Sequence, residues 1–96
     1  MRTAPESING AKVILFTPID ERHRPTGNCR QIVAGTLQGP LAGLAICRYD
    51  ADGCYLFGCD TSWCNITDTW HQTVEEAMRQ AEVEYEGVTT TWQRHA

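Results

Sequence analysis

The sequence predicts an α+β fold, with an antiparallel β-meander of four to five strands and one helix, in the C-terminal half, packed on one face. Two observations favour this class. Residues 55–60 and 63–67 are short runs rich in strand-forming residues, and the turn residues Thr61 and Ser62 separate them. Directly after them, residues 73–86 carry the signals of a capped amphipathic helix.

The first half of the chain supplies the remaining strands. Residues 12–17 form a short apolar run that a proline ends, and residues 29–34 form a weaker strand. A stretch broken by Gly and Pro follows, and residues 44–49 return to strand character. A tight Asp-Ala-Asp-Gly turn at 50–53 then leads into the strand at 54–59, which completes a hairpin.

The helix has the clearest signals. Thr73 is the predicted N-cap, Glu76 completes a capping box, and Gly87 stands at the predicted C-terminal cap. Residues 88–92 are the predicted final short strand. The apolar side chains that share one helix face, and that we expect to be buried, are Val74, Ala77, Met78, Ala81 and Tyr85.

A chain of 96 residues predicts a single domain, residues 1–96, in which the aperiodic residues 1–10 form a flexible arm. No apolar run approaches the ~20 residues that span a bilayer, and the N-terminus lacks the apolar core of a signal peptide. We therefore expect a cytoplasmic protein with no membrane contact.

The net charge of −4 divides unevenly: residues 1–48 carry +3 and residues 49–96 carry −7. An acidic half disfavours nucleic acid and favours another protein, of basic character, as the partner. The residues predicted to form the binding surface are acidic helix positions and a tryptophan in the loop before the helix: Trp70, Glu75, Glu76, Glu82 and Glu86. A solvated helix face is the alternative interpretation of these acidic residues.

Five cysteines exclude a complete set of intramolecular disulfides, and reduced thiols are the default in a cytoplasmic protein. If Thr61 and Ser62 form a two-residue loop, Cys59 faces Cys64 with Cα atoms about 4.5 Å apart, within reach of a strained, labile disulfide. Zinc is not expected, because the separations between Cys54, Cys59 and Cys64 are wrong for a zinc knuckle. No cofactor is expected.

Thiol catalysis would combine Cys59 or Cys64 with His71 and Asp68 as base and orienting acid. The residue types match that chemistry, but nothing in the sequence fixes their geometry and no oxyanion donor is visible. His71 and Asp68 fit equally well as residues of the turn before the helix.

Several segments together resemble a group of small, functionally unassigned bacterial proteins. The resemblance rests on YLFGCD at 55–60, TDTWH at 67–71, TVEEA at 73–77 and EYEGV at 84–88. It implies a bacterial origin and an α+β fold, and it assigns no role to any residue. A looser likeness, of a strand followed by a Thr-x-Glu-Glu-Ala helix, is to the HicB antitoxin fold.

The functional hypothesis is a small protein-binding module without catalytic activity. One concrete version is a toxin-neutralising protein, immunity or antitoxin-like, because a small acidic fold can block a basic active site. The alternative is a thiol redox or metal-responsive protein that uses Cys59 and Cys64.

Overall fold

The computed structural model describes residues 3–20, 22–25, 32–33, 36–37, 41–49 and 53–94. In chain order the elements are β1 (Ser7–Ile8), β2 (Ala11–Pro18), β3 (Arg24–Pro25), β4 (Ile32–Val33), β5 (Thr36–Leu37), β6 (Gly43–Arg48), β7 (Cys54–Cys59), β8 (Asn65–His71), α1 (Val74–Glu84), β9 (Tyr85–Glu86) and a 3₁₀ helix (Val88–Thr90).

The main sheet has five antiparallel strands in the spatial order β1-β2-β6-β7-β8. Two short ladders stand beside it, β3 with β9 and β4 with β5. Register shifts between Val13 and Leu15, and between Gly58 and Cys59, act as β-bulges that curl the sheet. The α+β class and the antiparallel sheet are confirmed. Much of the strand expected at 29–34, and the first part of the turn at 50–53, lie outside the described residues.

The sheet buries apolar side chains on both of its faces. Its central strands are apolar along most of their length, and successive side chains project to opposite faces. On the face of the sheet that α1 covers, called the helix face from here on, Leu44, Ile46 and Leu56 form a core cluster with Ala77 and Ala81 of α1. The far face has its own cluster, which includes Phe16, Ala45, Cys47, Phe57 and Cys59. Two clusters on one sheet mean that α1 covers only the helix face.

The N-terminus of α1 matches the sequence prediction. The backbone N–H of Glu76 donates to the Thr73 hydroxyl at 3.1 Å, so Thr73 is the N-cap. Ala77 and Ala81 are fully buried, and Val74 and Met78 are half-buried against the same cluster.

The C-terminus of α1 differs from the prediction. The helix ends at Glu84, and Tyr85 leaves it in an extended conformation to pair with β3. The Tyr85 hydroxyl accepts a 2.7 Å hydrogen bond from the Leu41 backbone N–H. This tertiary contact favours the extended conformation of Tyr85 over a continuation of the helix. Gly87, with φ of 96°, leads into the 3₁₀ helix, so it is not the cap of α1, and residues 88–92 are not a strand.

The flexible arm expected at 1–10 is not found over residues 3–10. Ala4 and Ile8 are buried in the far-face cluster, and β1 pairs with β2. Asn9 and Gly10 join them as a two-residue hairpin loop in which both residues have positive φ, 50° and 82°. Asn-Gly is the strongest short hairpin signal in a sequence, and it explains why this segment is ordered.

The strand expected at 63–67 begins two residues later. Trp63 has a φ of 61° and lies in the preceding turn. Its ring is buried, packs edge-on to Phe16 with centroids 5.9 Å apart, and lies over Gly43, where a Cβ would come within 2.6 Å of it. The Asp60 carboxylate fixes this wider turn, because its Oδ1 accepts from the backbone N–H groups of Ser62 and Cys64.

Candidate functional site

The most exposed tryptophan of the described residues lies on β8. Trp70 keeps 54% of its surface exposed and stands opposite Tyr55 in the β7–β8 ladder. Its indole covers Gly53, where a Cβ would come within 2.5 Å of the ring, so a side chain at Gly53 would push Trp70 aside. The sequence predicted exposure of Trp70 correctly, but in a loop instead of a strand.

Two tyrosines extend this exposed ring into an aromatic surface, defined here as Tyr49, Tyr55 and Trp70. The rings of Tyr49 and Tyr55 meet edge to face with centroids 5.5 Å apart, and the Tyr49 hydroxyl donates to the Asn9 carbonyl. Tyr55 also packs on Phe57 of the far-face cluster, at 5.9 Å. The aromatic surface is therefore anchored in the core. The two tyrosines were not among the predicted site residues, although their cross-strand placement follows from the hairpin register.

β8 itself is an edge strand of seven residues. In the part of the chain that the structure describes, no strand pairs with its outer side. Its sequence contains no Lys, Arg or Pro, the residues that commonly protect an exposed edge, and Asp68, Thr69 and Trp70 are all exposed. An edge of this kind can accept another strand.

The acidic residues predicted to bind a partner have different roles. Glu75 is exposed and Glu76 half-buried in the first turn of α1, where negative charge is favourable to the helix dipole. Glu86 is exposed on β9, opposite Arg24 in the ladder.

Glu82 is occupied within the fold. Its carboxylate accepts hydrogen bonds from the Thr89 hydroxyl at 2.7 Å, the Thr89 N–H at 3.2 Å and the Gly87 N–H at 3.0 Å. The Thr89 hydroxyl bond is the main cause that lowers the pKa of Glu82, and the two backbone bonds lower it further. Glu82 therefore joins α1 to the 3₁₀ helix, and its part in binding a partner stays a prediction.

The predicted surface that combined Trp70 with the acidic helix is divided by the sheet. Trp70 is on the side of Tyr55 and Phe57, the far face, whereas α1 packs on the helix face. Residues one apart on a strand project to opposite faces, so a one-residue difference in register decides this placement. The predicted strand at 63–67 begins two residues too early and ends before Trp70, so the face on which Trp70 lies could not be predicted from it.

The predicted facing of Cys59 and Cys64 is wrong. Cys59 is buried and lies opposite Asn65 in the ladder, whereas Cys64 is exposed in the turn. The wider turn closed by Asp60 removes the two-residue loop on which the facing depended. Burial raises the pKa of the Cys47 thiol to about 12 and also raises that of Cys54, so these thiols are unreactive in the folded protein.

The thiol, histidine and aspartate considered for catalysis are not brought together. His71 lies opposite Cys54 on the helix face, whereas Asp68 lies opposite Phe57 on the far face. The His71 ring nitrogen Nε2 is 2.7 Å from the Thr69 hydroxyl. Across the described ranges, no three His, Cys, Asp or Glu side chains cluster as metal ligands would.

The fold and this surface define an α+β domain with a curled antiparallel sheet and an exposed aromatic edge. The chain matches no protein-family model, no curated protein and no solved structure. The resemblance to small bacterial proteins stays a prediction. None of the helices in the described residues is both long and apolar enough to cross a membrane.

Proposed function

We propose that this protein binds another protein by accepting an extended segment of it along the outer edge of β8. The observation that carries the proposal is β8 itself, a seven-residue edge strand that presents Trp70 with 54% of its surface exposed. In this mode, backbone hydrogen bonds to the edge supply affinity, and side-chain pockets supply specificity. Trp70 is the anchor, because large exposed aromatic residues dominate the energetics of protein interfaces.

Charge favours a basic segment as the occupant. Residues 54–71, which form β7, β8 and the turn between them, have two acidic residues, Asp60 and Asp68, and no Lys or Arg. Asp68 is exposed on β8 next to the position where the segment would lie. A basic segment would be attracted to this edge, and its association would slow as salt rises.

A toxin-neutralising role is one version of this proposal and stays a prediction. The redox alternative would need a different arrangement from the predicted one, because Cys59 and Cys64 do not face each other.

Capture from a lysate of the native host, followed by reconstitution, tests the proposal. The immobilised wild-type protein is compared with Trp70→Ala and with Val83→Ala, a matched control whose exposed apolar side chain lies on α1. A partner retained by wild type and control is purified, and its Kd is measured. We expect Trp70→Ala to weaken binding by at least about 30-fold, as loss of an interface hot spot does.

Asp68→Lys separates charge from the aromatic contact. It should weaken the same complex and reduce the dependence of Kd on salt, because it removes the acidic group nearest the segment. A partner that binds Trp70→Ala and Asp68→Lys with the same Kd as wild type would overturn the proposal. So would a self-associating protein whose dimer is lost in Trp70→Ala, since the occupant of β8 would then be a second copy.

A further inference from the structure

Three cations from distant parts of the sequence meet at a cleft of about 700 Å³ that is lined by β2, the end of β6 and the start of α1. Lys12 on β2 and Arg48 on β6 are direct partners in the ladder. The third is Arg94, which follows Gln93. Gln93 is held against β2 by two backbone hydrogen bonds with Phe16, of 2.8 and 3.0 Å. The position of Arg94 is therefore fixed by the sheet.

The pairing of Lys12 with Arg48 is unfavourable by itself. Directly opposite residues of an antiparallel pair have Cβ atoms about 5 Å apart, and like charges there destabilise the sheet. Within the described part of the chain, none of these three side chains, of Lys12, Arg48 and Arg94, forms a hydrogen bond or an ion pair. All three side chains are exposed. A protein with a net charge of −4 has placed three of its eight Lys and Arg residues around one cleft, where their positive charges exceed the negative charge of the lining.

The rest of the cleft is partly apolar. Ile14, at the bulge of β2, and Val74, at the start of α1, both line it. Glu75 contributes a single carboxylate, so the formal charge of the lining is about +2. Small-molecule sites typically have this size and combine apolar walls with a few charged groups that orient the ligand.

From these observations we propose that the cleft binds a small organic dianion whose phosphate or carboxylate groups contact Lys12, Arg48 and Arg94. The apolar body of the ligand would lie against Ile14 and Val74. The ligand relieves the repulsion between Lys12 and Arg48, and guanidinium groups suit phosphate and carboxylate equally, through paired hydrogen bonds. Tyr49 of the aromatic surface also lines the cleft, whereas Trp70 and the strand β8 do not. Variants at the three cations and at Trp70 therefore test this inference and the protein-binding proposal separately.

NMR titration of the 96-residue chain at constant ionic strength tests the inference. The probes are phenyl phosphate, phthalate and, as a neutral control, benzyl alcohol. We expect one or both dianions to shift the backbone amides of Lys12, Ile14, Arg48 and Glu75 saturably, whereas benzyl alcohol does not. The two dianions distinguish phosphate from carboxylate recognition.

Variants assign the binding to the cations. Arg48→Gln with Arg94→Gln should weaken binding by at least about tenfold, because charge-assisted hydrogen bonds are lost. Arg79→Gln, on the exposed side of α1, is the matched control and should leave the Kd unchanged. Glu75→Gln should tighten binding, since it removes the one opposing carboxylate, and a gain in affinity cannot result from unfolding.

Three results would overturn the inference. They are the absence of saturable shifts with either dianion, equal shifts with benzyl alcohol, and a Kd that the two arginine substitutions and Glu75→Gln leave unchanged.

Discussion

Two carboxylate side chains stabilise turns at which the structure differs from the strands and helix that the apolar residues predict. The Asp60 carboxylate binds two backbone N–H groups and widens the turn before β8. The Glu82 carboxylate binds Gly87 and Thr89 and closes the turn after α1. Both residues belong to the acidic half of the chain, so part of its negative charge stabilises turns of the fold.

Glu82 should make stability depend on pH. Its folded-state pKa lies below the ordinary value of 4.5, so its contribution is complete above that value and is lost as pH falls through the folded pKa. We expect Glu82→Gln to lower the Tm at pH 7, and the difference from wild type to shrink between about pH 5 and pH 3. Glu86→Gln is the control, and a wild-type difference that stays constant over this range would contradict the assignment.

The thiols should differ sharply in reactivity. Cys64 is exposed, whereas Cys47, Cys54 and Cys59 are buried. In a Cys29→Ser background, which removes the thiol outside the described residues, we expect Ellman's reagent to find a single fast-reacting thiol. Adding Cys64→Ser should abolish that fast phase. Two fast thiols, or a Cys59–Cys64 disulfide under mild oxidation, would instead favour the redox alternative.

Among the helices and strands, the features predicted correctly are those that depend on residues close together in the sequence. The N-cap Thr73 and the burial of Ala77 and Ala81 were predicted correctly, because capping and periodicity involve residues within a few positions of each other. Asn9-Gly10 carried an equally local hairpin signal that sequence analysis passed over. The start of β8 could not be predicted from local signals. Trp63 lies in the turn and not in the strand, because its ring is buried over Gly43, which is distant in sequence.

The N-cap of α1 is directly measurable. Thr73→Ala should lower the free energy of unfolding by about 1 kcal/mol, because the Glu76 N–H loses its acceptor, whereas Thr73→Ser should cost much less. Urea denaturation of the three proteins gives the comparison. Equal unfolding midpoints for Thr73→Ala and Thr73→Ser would show that the hydroxyl does not cap the helix.

At the scale of the whole molecule, the sheet separates two surfaces that the sequence could not distinguish. The acidic helix and Trp70 are neighbours in sequence, yet they lie on opposite faces of β7 and β8. Lys12, Arg48 and Arg94 are far apart in sequence, yet they line one cleft. Both outcomes depend on strand order and register, which are set by the total packing of the sheet rather than by any local pattern.

The central claim is that the outer edge of β8 accepts a segment of a partner protein. Amide hydrogen exchange, measured on the free protein and on its complex with the captured partner, tests this most directly. We expect protection to rise along Asn65–His71 in the complex and α1 to be little affected. Unchanged exchange in β8, with new protection confined to α1 or to the 3₁₀ helix, would contradict it.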